Sequence, residues 1–189
     1  MGVSGSGKST IGALLAERFG VPFVDADSLH PPANIAKMAG GIPLSDDDRW
    51  PWLARVANEL ASSPSGLVVA CSALRRSYRD AIRRDSKDIF FLHLALPAET
   101  LSVRMESRPE HFMPSSLLRS QLATLEVLGP GERGVRVDGS LSPTAVVVAC
   151  EKAILASSSL LASKSTDRTQ EDGRHGPSAA HYPTSRTSI

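Results

Sequence analysis

A chain of 189 residues suits one compact domain, and its net charge of +1 gives no overall pull toward nucleic acid or an anionic membrane. An apolar share of 41% is enough for a core. The two cysteines, Cys71 and Cys150, lie in apolar stretches without metal-ligand spacing. They read as buried thiols in a reducing compartment. With no long apolar run and no signal peptide in view, a cytoplasmic enzyme is the expectation.

The first stretch, Gly2-Val3-Ser4-Gly5-Ser6-Gly7-Lys8-Ser9-Thr10, has the spacing of a phosphate-binding loop. Polyphosphate needs many donors converging on it, and backbone N–H groups exposed by glycine turns supply them. Lys8 adds a point charge for the β- and γ-phosphates. Ser9 adds a hydroxyl for Mg²⁺. A helix follows, with Ile11, Leu14, Leu15 and Phe19 on one face and Gly20 to stop it, so its positive end points at the phosphates. Residues 2–10 are therefore expected to bind ATP.

Val21–Asp25 reads as a buried parallel strand with Asp25 and Asp27 at its C-terminal edge, where open α/β sheets bind ligands. One carboxylate is expected to serve Mg²⁺ (Asp25) and the other an acceptor hydroxyl (Asp27). The plainer alternative is a turn that caps a helix. His30–Arg49 is polar, with a short helix carrying Asn34, Lys37 and Met38. Asp46, Asp47 and Asp48 suit a helix N-terminus. Arg49 presents a fork able to grip a carboxylate. The next helix is expected to open at Pro51 and to bury Leu53, Val56, Ala57 and Leu60.

Leu67–Cys71 is a second buried strand, ending at Ser72. In the arginine-rich helix after it, Arg76 and Arg79 lie closest to the ligand edge. Ile89–Leu96 is a third strand. The helix after Pro97 carries Arg104 and Arg108, an irregular piece spans 109–114, and a further helix runs through Gln121 to Leu125. Helix, tip, helix describes a lid over a nucleotide or, equally, a surface hairpin. Gly134–Asp138 is the last strand, followed by a helix from Pro143 through Ile154. Residues 157–189, rich in Ser, Thr, Gly and Pro, are expected to be disordered and removable without loss.

The fold class these elements define is α/β: a P-loop NTPase, with a parallel sheet flanked by helices under a helical lid. Its domain covers 1–156, with an acceptor segment at about 28–62 and the lid at about 104–126. A central strand ought to precede the phosphate loop, and only Met1 does. The expectation is a gap between the flanking strands, and a true start upstream that makes Met1 an internal methionine.

Several of these blocks together resemble the gluconokinase family. They are the loop of residues 2–10, Asp25-Ala26-Asp27 with His30-Pro31, and Asn34-Ile35-Ala36-Lys37-Met38. Gly41 to Arg49, Pro51-Trp52-Leu53, Cys71-Ser72-Ala73-Leu74 with Tyr78-Arg79-Asp80, His111-Phe112-Met113-Pro114 and Ser120-Gln121 belong to the same set. The match runs from Gly2 to about Ala156. It implies transfer of the ATP γ-phosphoryl group to the 6-hydroxyl of D-gluconate, with Mg²⁺. It also implies Lys8, Asp27 and Arg108 as catalytic, and Arg104 beside ATP. Asp27, His30, Asp48, Arg49, Ser72, Arg79, His111 and Gln121 are implied around the acceptor. Arg75-Arg76 stand where the family often has two lysines, Glu110 where glycine is common and Leu122 where phenylalanine is frequent. The rival readings are a shikimate-kinase-like acid kinase and a nucleotide-binding remnant without turnover. No nucleic-acid or membrane partner is expected, and assembly as a homodimer is left open.

Overall fold

Continuous apolar strands and helices of period 3.6 meet here in three layers. The computed structural model describes residues 1–84, 86, 88–106, 115–169 and 186–188. In chain order these give α1 (Lys8–Phe19), β1 (Phe23–Asp25), a 3-10 turn (Ala26–Leu29), α2 (Pro32–Ala39), α3 (Asp46–Ala61) and β2 (Val68–Ala70). There follow α4 (Arg76–Ile82), β3 (Ile89–Ala95), α5 (Ala98–Glu106), α6 (Ser115–Thr124), β4 (Gly134–Asp138), α7 (Pro143–Thr169) and β5 (Arg186–Ser188). The strands form one sheet in the order β1-β2-β5-β3-β4, with every neighbouring pair parallel.

Alternation along β3 divides the core. Ile89 and Phe91 face a cluster with Trp52, Leu53, Val56 and Leu60 of α3 and Tyr78 and Ile82 of α4. Phe90, Leu92 and Leu94 face Ile11 and Leu15 of α1 and Val146, Val147, Cys150 and Ile154 of α7. Burial on both faces is why these strands read as continuous apolar runs. Both cysteines are free and buried, and burial pushes their thiols up, Cys71 to about 12 and Cys150 to about 11.

Three expectations are corrected here. α3 opens at Asp46, not at Pro51, because Ser45 and Asp48 form a reciprocal cap: the Asp48 amide donates to Ser45 Oγ (3.2 Å) and the Ser45 amide to Asp48 Oδ2 (2.8 Å). Pro51 lies inside the helix.

The central slot of the sheet also differs from expectation, since it is not empty. β5 pairs with β2 (Val68↔Thr187, Val69↔Ser188) and with β3 (Ile89↔Arg186, Phe90↔Thr187, Phe91↔Ser188). Facing N–H and C=O groups in a buried slot need partners, and this end of the chain supplies them. Met1, fully buried, continues the line: its amino group donates to the Leu92 carbonyl, and its own carbonyl accepts from the Leu94 amide at 3.0 Å. Burial pushes that amino group down to about 4, with the charge of Lys8 acting in the same direction. α7 likewise runs to Thr169, beyond the boundary expected near Ala156.

Ending the chain after Thr169 should therefore destabilise it. The lost ladder bonds, at about 0.5–1.5 kcal/mol each, sum to a few kcal/mol. A few kcal/mol corresponds to a fall in Tm of roughly 5–10 °C at this size. Calorimetry of the shortened and full chains checks this, and equal Tm values would remove β5 from the energetics of the sheet.

Candidate active site

The phosphate loop sits between the sheet edge and the start of α1. Gly7 caps that helix with φ +90°, and a Cβ there would meet nothing within 4 Å, so the cradle beneath the helix N-terminus is open. Gly2 has φ +142°, and a Cβ there would lie 2.9 Å from the Leu94 carbonyl oxygen, which leaves glycine as the residue that fits. The Gly2 amide donates to the Ser72 carbonyl at 3.1 Å, tying the loop to the exit of β2. Lys8 Nζ spans the loop to the Val3 carbonyl at 3.0 Å. Among the described residues, Ser6 Oγ is buried without a hydrogen-bond partner, a donor left over inside a phosphate cradle.

Ser9 Oγ donates to Asp25 Oδ2 at 2.6 Å. Hydroxyl and carboxylate together are the hard oxygen donors that suit Mg²⁺, which keeps most of its ligands as water and phosphate. The residues present therefore fit that ion. Asp25 does a second task. Its Oδ1 accepts from the Asp27 amide at 3.1 Å, so β1 ends and the 3-10 turn begins there. The capping turn of the plainer alternative is thus present. The turn carries Asp27, exposed, to the same edge.

A cleft of about 260 Å³ opens beside the loop, lined by Gly5, Gly7, Thr10, Arg104, Leu141 and Val146 among others. Arg104 Nη2 donates to the Gly139 carbonyl at 3.1 Å, which fixes its guanidinium at the cleft. Gln121, on α6, accepts the Ser4 amide at 2.7 Å. It is bound to the phosphate loop, and the acceptor role expected for it gains no contact here. Arg108 and His111 lie outside the described residues.

Around the acceptor segment, the structure divides the expected residues. His30 is buried and stacked on Trp52, with ring centroids 4.3 Å apart, and Trp52 Nε1 donates to the Ala26 carbonyl at 2.7 Å. Burial lowers the His30 pKa; the charge of Asp27 opposes this and that of Arg49 reinforces it, so the ring lies within reach of both. Asp48 is committed to scaffolding, contrary to expectation. Lys37 Nζ bonds both of its oxygens (2.6 and 2.8 Å), and Ser45 bonds one twice more. The Lys37 and Ser45 bonds hold its carboxyl down to about 2. Asn34, not among the expected site residues, joins the same wall through the Asp48 carbonyl at 2.8 Å.

Arg79 is the larger correction. Its side chain is fully buried with that of Glu132, as a two-pronged pair (Nε–Oε1 2.6 Å, Nη2–Oε2 3.0 Å). Nη1 donates to the carbonyls of Ala73, Leu74 and Glu126, and Nη2 to that of Val127. Burial pushes the Glu132 carboxyl up, the bonds from Arg79 and the Gly129 amide outweigh it, and its pKa lies below the ordinary value. With its donors spent on protein acceptors, Arg79 is a clamp joining the end of β2, α4 and the segment after α6. An isolated sequence offers nothing to separate this arginine from its exposed neighbours Arg76 and Arg84, because its partner Glu132 lies 53 positions away.

Sequence reasoning also missed Asp46, Arg75 and Tyr78. Asp46 Oδ1 accepts from Arg49 Nη1 (2.8 Å) and from the Tyr78 hydroxyl, and Oδ2 accepts from Arg75 Nη1 (2.8 Å). The Asp46–Arg49 spacing of three on one helix was a usable signal.

A nucleoside-triphosphate cradle, an adjoining hydroxyl–carboxylate pair and a polar acceptor wall on one sheet edge define a P-loop phosphotransferase. The sequence model of the shikimate kinase family matches residues 4–126. Gluconokinase of Gluconobacter oxydans is 49% identical over 150 residues, 78% of this chain and 84% of that protein. The thermosensitive gluconokinase of Escherichia coli is 44% identical over 161 residues, 82% and 86% of the two chains. A crystal structure of a gluconokinase from Sinorhizobium meliloti superposes with a TM-score of 0.73 at 46% identity, covering 89% of this chain and 94% of that one. The chain belongs to the gluconokinase family.

Two measurements test these assignments. Arg79→Leu leaves Glu132 buried and unpaired, a loss of about 3–5 kcal/mol. It should lower Tm sharply while the folded fraction keeps the KM of its acid acceptor; a raised KM with unchanged Tm would return Arg79 to the substrate. By NMR, the Asp48 carboxyl should titrate near 2. A lowered folded pKa means its contribution is complete above about 4, the unfolded value, and is lost as pH falls through the folded one. Lys37→Ala should move that midpoint up toward 4.

Proposed function

We propose that this chain transfers the γ-phosphoryl group of ATP to the 6-hydroxyl of D-gluconate, giving ADP and 6-phospho-D-gluconate. The observation that carries the reading is the convergence on one sheet edge of Lys8, Ser9, Asp25 and Asp27, with Arg49 on the wall beside them. The gluconokinase names of its relatives supply the acceptor.

The loop amides and the start of α1 bind the triphosphate, and Lys8 carries charge to its γ end. Ser9 and Asp25 would hold Mg²⁺, which when bound neutralises phosphate charge. Arg104 flanks the nucleotide. Asp27 orients the acceptor hydroxyl. An oxygen–phosphorus bond forms from that hydroxyl as the bond to the β–γ bridging oxygen breaks; ADP leaves with that oxygen, and the hydroxyl proton passes to Asp27. An ordinary carboxylate, at about 3.9, is a weak base for an alcohol, so its work is positioning and late proton acceptance. Arg49 provides positive charge for the acceptor carboxylate. Arg108 and His111 belong to the lid in this reading. Among the described residues, no helix is long and apolar enough to cross a membrane.

A coupled assay for 6-phosphogluconate from ATP and gluconate tests the reaction, with shikimate as the competing acceptor. Lys8→Ala should lower kcat by about 100-fold or more. Asp27→Asn keeps size and loses charge, and should lower kcat by about 100-fold with little change in gluconate KM. Near-normal kcat in either variant overturns the role given to that residue, and phosphorylation of shikimate but not gluconate overturns the acceptor.

A further inference from the structure

The cluster around Asp46 is built more elaborately than a helix N-terminus requires. Its carboxylate is divided between two guanidiniums, Arg49 on Oδ1 and Arg75 on Oδ2, each at 2.8 Å. Tyr78 locks the arrangement, its hydroxyl accepting from Arg49 Nη1 at 3.1 Å while donating to Asp46 Oδ1. Both guanidiniums also lie over its ring, with Cζ atoms 5.6 and 5.7 Å from the centroid. Among the described residues, both arginines bond through Nη1 alone, and Nε and Nη2 of each remain for another acceptor. The side chains of Arg49, Arg75 and Asp46 are 26%, 41% and 38% exposed, so the cluster is reachable from solvent. Two cations and one anion leave a charge of +1, which one further carboxylate neutralises.

The backbone ties the segment that carries Arg75 to the phosphate loop. The segment leaving β2 passes Ser72, whose carbonyl is bonded to the phosphate loop through Gly2. It then passes Ala73, buried, with a left-handed φ of +41° that a residue bearing a Cβ rarely adopts. The Leu74 carbonyl is fixed by the Glu126 amide at 2.8 Å. Arg75 follows directly. Arg49, from the other side, lies near enough to His30 to lower its pKa, and His30 also senses Asp27.

Resting on the assignment of gluconate as acceptor, we infer that Arg75 joins Arg49 as a two-guanidinium receptor for the substrate carboxylate. Asp46 and Tyr78 are the positioning residues that set its spacing. Asp46 stands where a repelling charge would be costly, and it is kept because it orients two receptors at once. This receptor distinguishes an aldonate from a neutral polyol of the same length.

The test is steady-state kinetics on the full chain, varying gluconate and ATP separately, with melting curves for every variant. Arg75→Ala should raise the gluconate KM by about 10–100-fold, the loss of one charge-assisted bond, with ATP KM within about twofold of wild type. Arg75→Lys should recover part of that loss. Asp46→Asn should also raise the gluconate KM, although it removes a negative charge from the site. The preference for gluconate over glucitol should narrow in all of these variants. A lowered gluconate KM in Asp46→Asn would show a carboxylate that merely repels substrate, and an unchanged KM in Arg75→Ala would show that this arginine is no receptor; either overturns the inference. Should Asp46→Asn melt early, the two Arg75 variants decide alone. A wild-type chain that releases no ADP on gluconate overturns the acceptor assignment itself, and the inference with it.

Discussion

Everything at this site depends on how the phosphate loop is fastened to the sheet. Loop amides stabilise a polyphosphate only if their directions are fixed in advance, since reorganising them during reaction would consume the stabilisation. Three backbone bonds do the fastening: Met1 donates to Leu92 and accepts from Leu94, and Gly2 donates to Ser72. They attach the loop to both strands that border the central slot. The Gly2–Ser72 bond also ties the exit of β2, three residues before Arg75, to the phosphate loop. A disturbance in the slot would be felt by nucleotide and acceptor together.

Carboxylates organise the rest, and burial decides what each is worth. Glu132 and Arg79 are both fully buried, so neither can be removed alone without stranding a charge. Asp48 and Lys37 are partly exposed, and water screens that pair; its value lies in geometry, since the same carboxylate caps α3. Asp46 belongs with the second kind in exposure but serves three donors. Asp25 is shared between Ser9 and the Asp27 amide, joining the metal side of the site to the acceptor side. Four acids thus fix the relative positions of cations and donors.

The sequence made local chemistry legible and long-range chemistry not. The loop, α1, the strand at Phe23–Asp25 and the two-faced burial of β3 follow from spacing and periodicity within a dozen residues. Ser45 and Asp48 are equally local; Pro51 also suits a helix opening, and the reciprocal cap takes precedence over it. Arg79 could not be sorted from Arg75 and Arg76, because its burial depends on Glu132 and on carbonyls after α6. β5 was illegible for a similar reason. Its segment has the composition of a tail, and only the unmet backbone groups of β2 and β3 give three residues there a place in the sheet.

Arginine at position 75 carries a physical consequence that follows from its shape. A lysine ammonium is a compact point charge, and one held against Asp46 would have its field largely spent there. A guanidinium spreads its charge over a plane and offers donors on two edges, so it can satisfy Asp46 Oδ2 through Nη1 while presenting Nε and Nη2 elsewhere. Arg49 does the same from α3 with Oδ1. The Tyr78 hydroxyl takes part in the same cluster, accepting from Arg49 Nη1 and donating to Asp46 Oδ1. The arrangement keeps two cations close without letting the shared anion neutralise them fully, and that residual charge, held beside a polar wall, is what a carboxylate-bearing polyol would find.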